Sequence, residues 1–219
     1  MNVYSFPTEL LKPANALALT NRKERHRLLR KADILKAAEH IFAQKGYHNA
    51  TIQDIAREAQ YATGTVYLYF TDKDALYSSI LEEKMQGLFS LLKEKTEKVK
   101  GIREKLEILI FENLEFFEKN HDFFRILLSE EDRLSIKSKV AKLPVFIRHK
   151  EYLAGIIKQA QIENIIREDI EAKQISDVFG SILTSVIFSW SEERSYKKRD
   201  LREMAALILE MFLNGVKKR

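Results

Sequence analysis

Helix-breaking residues are scarce in this sequence, which holds seven glycines and three prolines among 219 residues. Average proteins use roughly 12% glycine plus proline, more than twice this share. Proline removes a backbone donor, and glycine costs about 1 kcal/mol in a helix interior, so long helices avoid both. The scarcity therefore predicts an all-α fold, which the spacing of apolar residues divides into about nine helices.

Composition excludes several classes of protein. Apolar residues make up 45% and charged residues 32% of the chain, which is typical of a globular protein. Cysteine is absent, which excludes disulfides, thiolate zinc sites and cysteine nucleophiles. The most apolar window, residues 178–190, is shorter than the roughly 20 residues of a membrane span, and the start of the chain lacks the residue order of a signal peptide. We therefore expect a cytoplasmic protein without membrane association.

No motif for catalysis or metal binding is visible in the sequence. The five histidines have no metal-ligand spacing with one another or with carboxylates, and no nucleophile-elbow motif occurs. We therefore expect a protein that is not an enzyme, with no metal and no cofactor.

Positive charge is concentrated near the start of the chain. Residues 1–73 hold 11 Lys+Arg and 7 Asp+Glu, a net charge of +4, whereas the remainder holds 26 and 25, a net charge of +1. The densest part is residues 22–31, in which six basic side chains are opposed by Glu24 alone. Such a run is most often a solvated helix face, and phosphate contact and an anionic membrane surface are the alternatives.

Local rules predict short helices in the first third. Apolar residues from Ile34 to Phe42 recur at helical spacing, and Gly46 stands where a left-handed C-cap would end that helix. Thr51 precedes a second helix, with Asp54 at the capping-box position. Residues 63–70 alternate and are rich in β-branched and aromatic side chains, as strands are, yet no partner strand is near. The residue pattern leaves that segment undecided between helix and strand.

The rest of the chain is predicted to be helical with few interruptions. The expected helices cover about residues 73–98, 102–119, 121–130, a longer stretch kinked at Pro144 that ends near 163, and then 171–192 and 197–217.

Residues 34–76 contain a spaced set of residues that forms a recognisable motif. The set is Ile34, Ala37, Phe42, Gly46, Tyr47, Thr51, Ile55, Ala56, Ala59, Gly64, Thr65, Tyr67, Tyr69, Phe70, Lys73 and Leu76. In these residues the segment resembles the DNA-binding domain of the TetR (tetracycline-repressor-like) family of bacterial transcription regulators. The resemblance implies that residues 63–70 form the recognition helix of a helix-turn-helix and not a strand. It also implies a helix-turn-helix domain at residues 22–72 and an effector-binding and dimerisation bundle at residues 73–219. Residues 1–21 are expected to be a flexible extension, as chain ends often are.

The DNA-binding residues follow from this arrangement, because the second helix of the motif enters the major groove. The basic run at residues 22–31 lies just before and into the first helix, and it is expected to form an arm along the backbone or in the minor groove. The resemblance makes Lys73 a phosphate clamp. The expected contacts are Arg22, Lys23, Arg25, Thr51, Gln53, Thr63, Gly64, Thr65, Tyr67, Tyr69 and Lys73.

Two residues depart from the family pattern. The turn between the two helices usually carries glycine, where this chain has Gln60, and the usual capping serine is Ala62. Each departure costs roughly 1 kcal/mol. We expect a motif that is less rigid without DNA, or one whose DNA-binding role has weakened.

The resemblance implies an apolar effector cavity and a dimer interface in the C-terminal bundle. Aromatic residues at helical spacing are more often core than ligand-binding, but they are the candidates for the cavity wall. These candidates are Phe111, Phe116, Phe117, Phe123, Phe124, Phe146, Tyr152 and Phe179. The last two predicted helices have apolar faces too broad for one internal contact. Their predicted interface residues are Ile175, Val178, Ile182, Val186, Trp190, Met204, Ile208, Met211 and Phe212.

Together these features predict a homodimeric, ligand-responsive DNA-binding regulator. We expect a repressor that a small apolar or aromatic effector releases from a double-stranded DNA operator, with the helix near 73–98 as the lever. One alternative is a helical protein that binds lipids or small molecules without binding DNA. Another is a membrane-surface protein docked through its basic segment.

Overall fold

The structure, a computed structural model, describes residues 22–120, 143–192 and 200–216, without the side chains of residues 188 and 190–192. Within these ranges the chain forms eight α-helices and no strand, which confirms the all-α prediction. The helices are α1 Arg22–Asn49, α2 Ile52–Glu58, α3 Thr63–Tyr67, α4 Lys73–Glu97, α5 Ile102–Lys119, α6 Pro144–Ile162, α7 Ala172–Glu192 and α8 Leu201–Val216. In the part of the chain that these ranges cover, no helix is apolar and long enough to span a bilayer.

Two local predictions are corrected by the helix bounds. Pro144 is the first residue of α6 and not a kink within a helix, since proline at that position sacrifices no intrahelical hydrogen bond. Residues 63–67 are helical, so the strand pattern was misleading and the helix that the family resemblance implies is confirmed there, although it ends three residues before Phe70. The helix predicted at 121–130 lies outside the described residues.

The first compact unit ends at Ile80 and contains α1, α2, α3 and the start of α4. Its core includes Ile34 and Phe42 from α1, Ile55 from α2 and Val66 from α3, all almost fully buried. Burying a side chain of this size contributes roughly 1.5–3 kcal/mol. Tyr77 of α4 packs edge-on against Phe42, with ring centroids 5.9 Å apart. The first turns of α4 therefore belong to this unit, and it extends past the predicted boundary at residue 72.

The second unit begins at Leu81 and is a helical bundle. In it α5 packs against α8, α6 packs against α7, and α5 also contacts both α6 and α7. Phe179 of α7 and Phe212 of α8 form a T-shaped pair with centroids 4.8 Å apart, both fully covered by the bundle. This unit carries a cavity that is described below.

Candidate functional site

Helix α1 is interrupted at the predicted glycine. Gly46 has φ 75° and ψ 164°, a backbone conformation that residues with a Cβ rarely adopt. The helix resumes after Gly46 and continues to Asn49, so α1 ends three residues later than was predicted from the glycine. The interruption turns the chain toward the start of α2.

The predicted capping box at the start of α2 is confirmed. The Thr51 hydroxyl accepts a hydrogen bond from the Asp54 amide at 3.1 Å, and the Asp54 carboxylate accepts one from the Thr51 amide at 3.3 Å. Lys45 of α1 lies 2.8 Å from the same carboxylate. The Lys45 ammonium, followed by the Thr51 hydrogen bonds, lowers the pKa of Asp54 to about 2. These contacts fix the first turn of α2, which carries Gln53, an exposed candidate DNA contact.

The lowered pKa of Asp54 gives a pH-dependent contribution to stability. Its carboxylate stabilises the fold at pH values above the ordinary carboxyl range, and that contribution is lost as the pH falls through about 2. We expect Asp54→Asn to lower the melting temperature at pH 7 by about 2–4 °C. The difference from the wild-type protein should shrink as the pH approaches 2, and thermal melts at several pH values measure it. A difference that does not change with pH would contradict this account.

The turn between α2 and α3 contains a left-handed residue other than glycine and a helix start without a side-chain cap, as the two departures from the family pattern imply. Gln60 has φ 59°, in the left-handed region, and Ala62 caps α3 without a side-chain hydrogen bond. A contact that the sequence pattern did not reveal holds this turn: the Tyr61 hydroxyl donates to Asp33 of α1 at 2.9 Å. That hydrogen bond is the main cause of the raised pKa of Tyr61. Whether the motif is less rigid without DNA stays a prediction.

Replacing Gln60 with glycine should stabilise the protein. Glycine adopts φ 59° without the steric cost of a Cβ, so we expect Gln60→Gly to raise the free energy of unfolding by about 0.5–1 kcal/mol. Asn164, with φ 58°, is the matched control, because asparagine tolerates this conformation better and Asn164→Gly should gain less. Urea unfolding compares the two variants. An unchanged or lower stability for Gln60→Gly would show that the turn is not strained.

The recognition helix α3 is held by two buried side chains and exposes its other residues. Val66 and Phe70 are buried at 0% and 4% exposure, whereas Tyr67 is half exposed. Thr63, Thr65 and Tyr69 are partly exposed, so each can present a hydroxyl at the surface. A Cβ added at Gly64 would meet no atom within 4 Å, so packing does not require this glycine. Its exposed backbone is open to close approach by a ligand.

One candidate contact was missed in the sequence. Leu68 directly follows α3 and is 83% exposed, more than any other large apolar side chain in the described residues. An apolar side chain in this position can contact a thymine methyl group in the major groove. The alternation of residues 63–70 assigned Leu68 no role, and its exposure is visible only once Val66 and Phe70 are known to point inward.

The basic residues before the motif are helical. Arg22, Lys23 and Arg25 lie in the first turns of α1 and are exposed. The prediction of a minor-groove arm is therefore wrong for these residues, because a helix about 10–12 Å wide does not fit a groove about 6 Å wide. Contact with backbone phosphates stays a prediction.

Lys73 is engaged inside the first unit. Its ammonium donates to the carbonyl oxygens of Tyr47 at 2.6 Å, His48 at 3.1 Å and Ala50 at 3.0 Å. It also lies 4.5 Å from the centroid of the Tyr47 ring, whose hydroxyl donates to Asp74. Partial burial lowers the pKa of Lys73. All three ammonium donors hold the end of α1 in this conformation, and the phosphate-clamp role stays a prediction.

The second unit contains a cavity of about 600 Å³ between α4, α5, α6 and α7. A volume of this size is typical of sites for small organic ligands. Much of its wall is apolar, including Met85 and Leu88 of α4 and Leu109 of α5. Among the described residues no cluster of His, Cys, Asp or Glu that could hold a metal ion occurs.

The predicted aromatic residues divide between the cavity and the core. Phe116, Phe146 and Phe179 line the cavity. The other described candidates do not: Phe117 is buried in the core, the Phe111 ring lies under the Arg202 guanidinium at 5.2 Å, and the Tyr152 hydroxyl hydrogen-bonds Thr96 at 2.7 Å. Phe123 and Phe124 lie outside the described residues. A role in effector binding stays a prediction for all of them.

The cavity wall also has a polar part, which the apolar spacing of the sequence did not indicate. Its side chains include Asn113 of α5, His149 and Lys150 of α6, and Ser176 and Asp177 of α7. The Lys150 ammonium lies 3.1 Å from the Asp177 carboxylate. Burial lowers the pKa of His149, which favours its neutral form. The cavity can therefore bind a molecule that is largely apolar and carries a polar group.

The predicted dimer residues are not all on the surface. Ile175, Ile208 and Phe212 are buried in their own subunit, so they cannot supply an interface, and the prediction is wrong for these three. Val178 and Met211 are 55% and 70% exposed. Leu207, which was not predicted, is 52% exposed on α8. The partly buried members are Ile182, Val186 and Met204, and the side chain of Trp190 lies outside the described set.

The chain is similar to known regulators over most of its length. The family model "Bacterial regulatory proteins, tetR family" matches residues 34–80. The Fatty acid metabolism regulator protein of Bacillus subtilis (strain 168) is 23% identical over 185 residues, 84% of this chain and 93% of that protein. The uncharacterized HTH-type transcriptional regulator YvdT of the same organism is 30% identical over 141 residues, 64% of this chain and 71% of that protein.

A solved structure shares the fold. The transcriptional regulator FadR from Bacillus subtilis, crystallised in complex with stearoyl-CoA, superposes with a TM-score of 0.74 at 22% identity. The match covers 84% of this chain and 98% of that one.

Proposed function

This chain belongs to the TetR family of bacterial regulatory proteins and is a ligand-responsive DNA-binding regulator of transcription, and from that premise we propose that it is a cytoplasmic repressor that leaves its double-stranded DNA operator when a small, mainly apolar effector binds. The observation that carries this proposal is the path of α4. Lys73 in its first turn holds the end of α1, while Met85 and Leu88 further along the same helix line the cavity. A displacement of α4 by a ligand therefore reaches a residue that orders the helix-turn-helix.

The effector has to favour one conformation of the protein over another. A ligand with equal affinity for the DNA-binding and the DNA-free conformations changes neither population. A ligand in the cavity beside Met85 and Leu88 makes contacts that differ between the two conformations. As a consequence α4 shifts, and Lys73 loses its position against the carbonyl oxygens at the end of α1.

A fatty acyl compound is the effector class that fits the cavity best. The apolar wall suits a hydrocarbon chain, and the polar side chains near His149 and Lys150 suit a thioester or carboxyl group. The stearoyl-CoA bound to the FadR structure supports this class.

The exposed apolar side chains of the last two helices support a homodimer. Val178 on α7 and Leu207 and Met211 on α8 are each more than half exposed, an arrangement that a second subunit would cover. A two-fold dimer of this kind presents two recognition helices to half-sites at least one DNA turn apart.

The test is to select DNA from a random-sequence duplex pool with the purified protein and to measure its release. Fluorescence anisotropy of the selected duplex should show tight binding that stearoyl-CoA reverses and that coenzyme A alone does not. Analytical ultracentrifugation should give the mass of a dimer. Failure to enrich any sequence would support the alternative, a lipid-binding protein without DNA binding. Enrichment without release by an acyl-CoA would overturn the effector class alone.

A further inference from the structure

The first three turns of α1 project beyond the core of the first unit. Residues 22–33 are exposed, apart from the half-buried Glu24, and the first buried residue of the helix is Ile34. At 1.5 Å per residue this stretch is about 18 Å long. It carries six Lys+Arg and two Asp+Glu, and 6 − 2 gives a net charge of +4. Residues 22–33 thus have the same net charge, +4, as residues 1–73 taken together.

Helical spacing places some of the basic residues on a single face. Lys23, Arg27 and Lys31 follow one another at intervals of four residues, which places them in one row along the helix. The same row continues into Leu35, and its neighbour Ile34 is fully buried. The face of α1 that packs on the helix-turn-helix core is therefore basic where it extends past that core.

This basic row lies beside residues 63–70, the recognition segment, which consists of α3 and the three residues that follow it. The Lys31 ammonium is 5.9 Å from the centroid of the Phe70 ring, three residues after α3 ends. Arg27, four residues earlier in the same row, forms an exposed ion pair with Glu24 at 2.9 Å, which is weak enough to be exchanged for a phosphate.

We infer that Lys23, Arg27 and Lys31 form a helical phosphate-binding row, which contacts the DNA backbone beside the major groove that α3 enters. This inference rests on the proposed DNA-binding function and replaces the arm that the sequence suggested. The row spans about 12 Å, enough to reach more than one phosphate. Contacts of this kind set affinity and orientation and carry no sequence information.

An anionic membrane is the competing partner for a basic helix with exposed leucines. Leu28 and Leu29 are 45% and 55% exposed, but two leucines offer a small apolar area for insertion. The position of Lys31 next to Phe70 favours DNA, because a basic row beside the recognition segment can act together with it.

The experiment compares two double variants with the same change of charge. Arg27→Gln/Lys31→Gln removes two members of the row, while Lys36→Gln/Lys158→Gln removes two exposed lysines outside it, Lys36 on the opposite side of α1 and Lys158 on α6 of the second unit. Each protein is titrated with a mixed-sequence duplex of about 40 base pairs at several salt concentrations. Circular dichroism checks that the helix content of both variants is that of the wild-type protein.

The slope of log K against log [salt] should decrease in magnitude by about 2 per bound protomer for the row variant and stay unchanged for the control. The preference for selected DNA over mixed-sequence DNA should be the same in all three proteins. Equal slopes in the row variant and the wild-type protein, or equal losses in both variants, would overturn the inference and leave the proposed function intact. A wild-type protein that binds no duplex would overturn both. A different result would be that the wild-type protein sediments with anionic phosphatidylserine vesicles and the row variant does not, with the salt slope of DNA binding equal in both. That result would assign the row to membranes and overturn the inference.

Discussion

A Gly180→Trp variant is expected to stay on its operator when effector is added. Gly180 lines the cavity of the second unit, and a Cβ at this position would meet no atom within 4 Å. A tryptophan side chain therefore extends into the open space and occupies volume that the ligand needs. We expect effector affinity to fall by about 100-fold, or about 2.8 kcal/mol of binding free energy, with DNA affinity unchanged. Calorimetric titration with the acyl-CoA that releases the wild-type protein measures the loss.

Gly155 provides the matched control. It also lies within a helix with no atom within 4 Å of an added Cβ, but it is exposed on α6 and does not line the cavity. Gly155→Trp should bind effector as the wild-type protein does, although both changes replace a helical glycine. If Gly180→Trp keeps wild-type effector affinity, the cavity is not the effector site.

Replacing Lys73 with methionine is expected to lower the free energy of unfolding by about 3 kcal/mol. The change removes the donor from three carbonyl oxygens at the end of α1. Hydrogen bonds to a charged group contribute about 1.5–3 kcal/mol each, and water can replace part of them because the site is only partly buried. Methionine is an unbranched apolar side chain of similar length, so the loss reports the ammonium group, including its contact with the Tyr47 ring. Urea unfolding followed by circular dichroism gives the value.

The control for this variant is a lysine with one surface partner. Lys98, which directly follows α4, forms an exposed ion pair with Glu94 at 2.7 Å, and Lys98→Met should cost only a few tenths of a kcal/mol. The salt dependence of DNA binding separates the two roles of Lys73. Unchanged stability together with a slope reduced by about 1 would make this lysine a phosphate contact and not a structural one.

The features predicted correctly in the helix-turn-helix are those that depend on neighbouring residues. The Thr51–Asp54 capping box, the positive φ at Gly46 and the uncapped start at Ala62 each follow from a residue and the few positions around it. The left-handed Gln60 was expected because the family has glycine there. Such rules need no knowledge of tertiary structure.

The features that were missed depend on contacts between distant parts of the chain. The carbonyl partners of Lys73 lie more than twenty residues away, and Tyr61 reaches Asp33 across a similar separation. Burial by the neighbouring helices decides which way α7 and α8 face. For this reason, spacing alone gave Ile175 and Val178 the same role, although only Val178 is exposed.

The unbroken course of α4 constrains how this protein can change in length. Leu76 faces the core of the first unit, and Leu88 and Leu92 face the core of the second. Inserting one residue between Leu76 and Leu88 would turn every later side chain by about 100° around the helix axis. Lys95 would then rotate toward the place that the fully buried Thr96 occupies. We therefore expect this helix to tolerate insertions and deletions only when their length is close to a whole number of helical turns, which is about three, four or seven residues. Its length should thus change by whole turns during evolution and not by single residues.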